Sequence, residues 1–77
     1  MKNIIVYAKN EKMRTFKALS SLESFTFAPT LMYACLLPFS KLEALKKWCN
    51  NIEPLCKKEG VKIELRHYKG KAIYKIG

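Results

Sequence analysis

The stretch from Pro38 to Gly60 constrains this chain most, because it alone carries a clear helical period. Leu42, Leu45, Trp48/Cys49, Ile52 and Leu55/Cys56 recur at steps of three and four, which places them on one face of a helix. Ser40 and Glu43 have capping-box spacing: the serine hydroxyl would accept from the N3 amide while the glutamate reaches back to the Ser40 amide. Gly60 stands where a left-handed C-terminal residue is wanted, and Lys57 and Lys58 suit the negative end of the helix dipole. Pro54 interrupts the stripe. It removes the amide that would bond Asn50 and crowds that carbonyl, at ~3 kcal/mol in a helix interior. Either the helix kinks near Asn50, or it ends there and a second turn starts at Pro54. The stripe continues through Ile52 and Leu55, which favours one kinked helix.

Around this helix the chain reads as strands. Asn3 to Lys9 is β-branched and aromatic, a strand buried on both faces and so central in its sheet. The opening Met1 to Lys9 has a basic start like a leader peptide, but its apolar block is too short, and it reads as strand. A polar turn over Lys9–Lys12 leads into alternation from Met13 to Leu19, predicting an antiparallel hairpin. Ser20 to Ser24 reads as a loop, and Pro29 demotes Phe25–Ala28 to an edge piece or loop. Leu31 to Leu37 fits a buried strand or a helical turn, and its place before the helix favours a strand. Val61 to His67 alternates cleanly, Tyr68-Lys69-Gly70 reads as a tight turn with Gly70 free to take positive φ, and Lys71 to Ile76 returns as the last strand.

The predicted fold is α+β: a small two-layer sandwich, an antiparallel or mixed sheet of four to five strands on one helix, in the order β-β-(β)-β-α-β-β. Residues 1–77 make one domain, whose core is small enough for self-association as a homodimer to suit it. No apolar run is long enough for a membrane span. Cys35, Cys49 and Cys56 form no CxxC pair and read as reduced, core-filling thiols of a cytoplasmic protein.

Charge is the strongest global signal. Fifteen Lys and Arg face six Glu and no Asp, a net charge of +9. Such a surface attracts polyanions, so the expected partner is anionic: a nucleoprotein complex, an acidic protein surface or nucleic acid. The same composition also serves solubility. Lys62, Arg66, Lys69, Lys71 and Lys75 crowd the last hairpin, with Tyr74 interleaved as a stacking group, and Lys9, Lys12, Arg14 and Lys17 come from the first. Only Arg14 and Arg66 are arginines, so any nucleic-acid binding is expected to be sequence-neutral and salt-dependent. Trp48 reads as the anchor of the helix on the sheet rather than as an interface residue. His67, the single histidine, reads as a strand-terminal residue rather than an acid/base group. There is no phosphate-binding glycine loop and no zinc-type spacing. No enzyme activity, cofactor or metal is expected.

Tyr7-Ala8-Lys9, Arg14-Thr15-Phe16-Lys17-Ala18-Leu19 and Leu31-Met32-Tyr33-Ala34 together resemble small phage and mobile-element proteins of Gram-positive-type genomes. The resemblance covers about half the chain and departs at Leu22–Ser24, where such proteins often carry a glycine. Proteins of this group include inhibitors of host defence nucleases, anti-CRISPR proteins among them. The resemblance implies accessory binding rather than catalysis and assigns no functional residue.

Overall fold

The computed structural model describes residues 3–77. Met1 and Lys2, the start of the leader-like opening, lie outside the described residues. Six strands are found among the described residues: β1 (Asn3–Lys9), β2 (Lys17–Ser21), β3 (Thr26–Phe27), β4 (Leu37–Pro38), β5 (Lys62–His67) and β6 (Ala72–Ile76). One helix, α1 (Leu42–Glu59), covers one side of them. The sheet runs β3-β2-β1-β5-β6, and every pairing is antiparallel. β1 is central, as its apolar run predicts: Ile4, Ile5, Val6 and Ala8 are all buried.

The core lies between sheet and helix. Ile4, Val6, Ala8, Leu19, Ile63, Leu65 and Ile76 meet Leu45, Cys49 and Cys56 from α1, with Leu42, Trp48 and Ile52 at its margin. Burying Leu45 alone contributes roughly 1.5–3 kcal/mol, so the stripe as a whole outweighs the ~3 kcal/mol that Pro54 costs. The helix accordingly runs unbroken through Pro54, and termination at Asn50 is overturned. Gly60 closes it in the left-handed conformation at φ 70°, with its N–H donating to the Cys56 carbonyl. Leu55 leaves the predicted face and is 59% exposed.

Several expectations are corrected. The capping box does not form: the chain is already helical at Phe39, in a 3-10 turn over Phe39–Lys41, and no side chain caps either element. An N-cap needs non-helical backbone. Pairing of Leu37 and Pro38 with β1 places that extended residue at Pro38, and the Phe39 ring stacks on His67 at 5.5 Å.

The second strand starts at Lys17 rather than Met13 and extends through Ser20 and Ser21, the expected loop. Asn10 holds a turn there, accepting from Met13 N–H on its carbonyl and from Lys12 N–H on its side chain. The Leu31 to Leu37 strand is reduced to β4, preceded by a 3-10 turn over Leu31–Tyr33. On that edge of β1, Tyr7 and Ala8 pair with β2, leaving Asn3 and Ile4 to pair with Pro38 and Leu37. Pro38 has no amide to extend the ladder. In the last turn, Lys69 takes positive φ (57°) and Gly70 does not. Gly70 is needed there for space, since a Cβ would lie 2.9 Å from the His67 Cβ.

Candidate anion-binding sheet face

Alternation along β1 and β5 turns a second set of side chains away from the helix. Register sets Lys9 opposite Lys62, Tyr7 opposite Glu64 and Ile5 opposite Arg66, while Lys75 of β6 stands opposite Glu64. The face is not bare polar surface. Arg66 lies with its guanidinium carbon 4.2 Å from the centre of the Tyr7 ring and 5.5 Å from that of Phe16. Its Nε–H donates to Glu64 Oε1 at 2.7 Å, and Glu64 is buried. Arg66 is thus oriented by a carboxylate and an aromatic face, and its planar guanidinium suits that stacking better than a lysine would.

Arg66–Glu64 is the only ion pair among the described residues. Lys9, Lys62 and Lys75 therefore have no carboxylate partner among those residues. Directly opposed like charges on neighbouring strands disfavour each other, and Lys9 faces Lys62 in that way. Lys62 and Lys75 line a cleft of about 280 Å³ with Phe16 and Glu64. Lys62 and Lys9 line a second one of about 220 Å³ with Asn10 and Glu11. The connection carrying the exposed Lys12 and Arg14 follows β1 at the same end.

The remaining predicted residues lie elsewhere. Tyr74 pairs with Leu65, so it faces α1: its hydroxyl donates to Asn50 Oδ1 at 2.8 Å, and Lys46 Nζ sits 5.6 Å from the ring centre. It is not a stacking group on the basic face. Lys17 pairs with Ala8 and shares the register position of the helix side. Lys69 and Lys71 belong to the β5–β6 turn, roughly 20 Å from Lys62 at the ~3.3 Å rise per strand residue. Lys69 Nζ lies 5.3 Å from the Tyr68 ring centre. Alternation along Val61–His67 already turns Glu64 outward with Lys62 and Arg66, whereas sequence reasoning missed Tyr7 and Phe16 as members of this face. The signal for Tyr7 lay in the register of β1 on β5, and that for Phe16 in the approach of the β1–β2 connection to Arg66, neither of which a single-strand pattern contains.

A second feature lies on the helix side. Trp48, Ile52 and Leu55 of α1 face Leu22 and Phe25 of the β2–β3 connection across a groove of about 440 Å³, with Glu23 and Glu59 also in its lining. Phe25 holds φ at 53°, a left-handed conformation costing a non-glycine residue roughly 1–2 kcal/mol. Trp48 therefore packs on the core, as expected of an anchor, and also forms part of the groove wall.

Burial pushes the Cys49 thiol up to about 11, with Cys56 and Glu53 adding to the effect. Burial also raises the Cys56 thiol, with Glu53 adding to it. These thiols are core groups and poor nucleophiles at neutral pH. Among the described residues no group of three or more His, Cys, Asp or Glu is placed to hold a metal ion. No helix among them is long and apolar enough to cross a membrane.

The class these features define is a small α+β domain with one helix-covered and one basic sheet face. A scan against protein-family models, a search of curated proteins and a search of solved structures each find no match.

Proposed function

We propose that this is a non-enzymatic binding protein that engages an anionic partner through the Lys9–Lys62–Lys75 end of its open sheet face. The observation that carries the reading is the direct cross-strand opposition of Lys9 and Lys62 beside Lys75, with no carboxylate pairing any of the three among the described residues. An anion bridging these ammonium groups relieves their repulsion, and Phe16 offers an apolar surface beside them. Taken with the resemblance to phage and mobile-element proteins, this supports an inhibitor or modulator, anti-CRISPR-like, of a host nucleoprotein or protein target. Such a protein acts by competing with nucleic acid for the target or by covering bound RNA or DNA.

The second reading is a sequence-neutral nucleic-acid module, favoured by the proximity of Phe16 to Lys62 and Lys75. Fluorescence anisotropy of labelled single-stranded DNA, duplex DNA and RNA at ~50 and ~200 mM salt separates the two. Micromolar binding that collapses with salt and is lost in a Lys9→Glu/Lys62→Glu/Lys75→Glu variant supports the module. Absence of binding at the lower salt turns the search to an acidic protein surface. If a captured partner binds the triple variant as well as the parent, the face is misassigned.

A further inference from the structure

The chain carries no charged residue between Glu23 and Lys41, an uncharged interval in a molecule of net charge +9. Its middle is displayed rather than buried. Met32 is 86% exposed, Tyr33 63%, Leu36 47% and Leu31 43%. With side chains of up to roughly 150–250 Å² each, these fractions expose on the order of 500 Å². That matches the ~300–600 Å² of a typical monomer's largest apolar patch, which is often functional. The same molecule carries the complementary shape. The groove between Trp48–Leu55 and Leu22–Phe25 is apolar within and has carboxylates, Glu23 and Glu59, in its lining. Groove and exposed segment adjoin: Leu22, Glu23 and Trp48 also line a shallower depression that reaches Cys35, whose N–H bonds the Leu19 carbonyl.

We propose that two copies of this chain associate by seating the Leu31–Leu36 knob of each in the Trp48/Leu55 groove of the other. Charge restricts where a second copy can dock. Two molecules of net charge +9 repel over most of their surfaces. The uncharged knob and the carboxylate-bearing groove are the regions through which they approach without opposing cation to cation. Because knob and groove lie side by side, a two-fold axis satisfies both contacts at once and closes the assembly as a dimer. Two knobs and two grooves together bury on the order of 1,200 Å², the low end of specific interfaces, so the dimer is weak and concentration-dependent. It uses none of the basic face and stands or falls independently of the proposed function.

Sedimentation equilibrium across a concentration series, from micromolar to ~1 mM, tests this. The mass is expected to rise from 8.9 kDa toward twice that value. Association is expected to tighten as salt screens the repulsion, opposite in sign to polyanion binding. Met32→Gln and Leu55→Gln, both at exposed positions, are each expected to weaken association more than tenfold with unchanged circular dichroism. An equimolar mixture of the two variants retains one intact knob–groove contact and is expected to associate more tightly than either alone. A mass that stays at 8.9 kDa throughout overturns the proposal. So does a Leu55→Gln variant that dimerises like the parent, because the knobs would then meet each other rather than the grooves.

Discussion

The Nε–H of Arg66 donates to Glu64 Oε1 at 2.7 Å while the guanidinium lies 4.2 Å from the centre of the Tyr7 ring. One arginine thereby neutralises a buried carboxylate and caps an aromatic residue on the face opposite the helix. A cation that composition alone would count as available for a ligand is committed to holding the sheet.

Replacing Arg66 is therefore a stability experiment before it is a binding experiment. Arg66→Lys keeps the charge but loses the planar stacking, and Arg66→Ala leaves Glu64 buried without its partner. Because Arg66 is about one-third exposed, solvent screens part of the loss. Arg66→Ala is expected to cost about 1–3 kcal/mol and Arg66→Lys about 1 kcal/mol in urea unfolding. A neutral Arg66→Ala would show that the pair contributes no net stability.

The basic end of the face and the β5–β6 turn make separable contributions to any polyanion binding. Lys62→Ala or Lys75→Ala is expected to lower the salt slope of duplex binding by about 0.9 each, since each lysine neutralises one phosphate. Lys69→Ala is expected to leave that slope unchanged, because Lys69 lies at the far end of the strand. Equal effects from all three would mean diffuse attraction by net charge.

Pro54 sits within an intact helix and is exposed. Pro54→Ala restores the amide able to donate to the Asn50 carbonyl and removes the ring that crowds it. The gain is partly offset by the greater freedom of the unfolded chain, about 0.4–1 kcal/mol. A net stabilisation of about 2 kcal/mol is expected in chemical denaturation. A destabilised variant would mean that the ring packs usefully where it is.

Cys49 makes stability fall in alkali. Its folded-state value of about 11 lies above the ordinary 9.0, so the folded thiol keeps its proton where the unfolded one loses it. The stabilisation is complete below pH ~9 and lost as pH rises toward ~11, by up to about 2–3 kcal/mol. Thermal unfolding at several pH values in that window should show a shallower decline for Cys49→Ala than for the parent. Parallel declines would mean that ionisation of Cys49 is not the cause. Ellman's reagent is expected to react promptly with the half-buried Cys35 and slowly with Cys49 and Cys56.

Local pattern determined much of this protein. The 3.6-residue stripe placed α1 and closed it at Gly60; the β-branched run made Asn3–Lys9 the central strand; alternation marked Lys62–His67 and its return strand. These are properties of neighbours along the chain, and burial of one face is enough to enforce them.

Tertiary structure decided the rest. Whether Leu31–Leu37 became a strand depended on how much of it reached the edge of β1 that β2 shares, and there only Leu37 and Pro38 pair, with Ile4 and Asn3. Whether Ser40 could cap α1 depended on Pro38 already being held in the sheet. Whether a cation was available depended on cross-strand register, which set Lys9 against Lys62, tied Arg66 to Glu64 beside Tyr7, and turned Tyr74 toward the helix. Register is fixed by contacts between residues some sixty positions apart, and no window along the chain contains both partners.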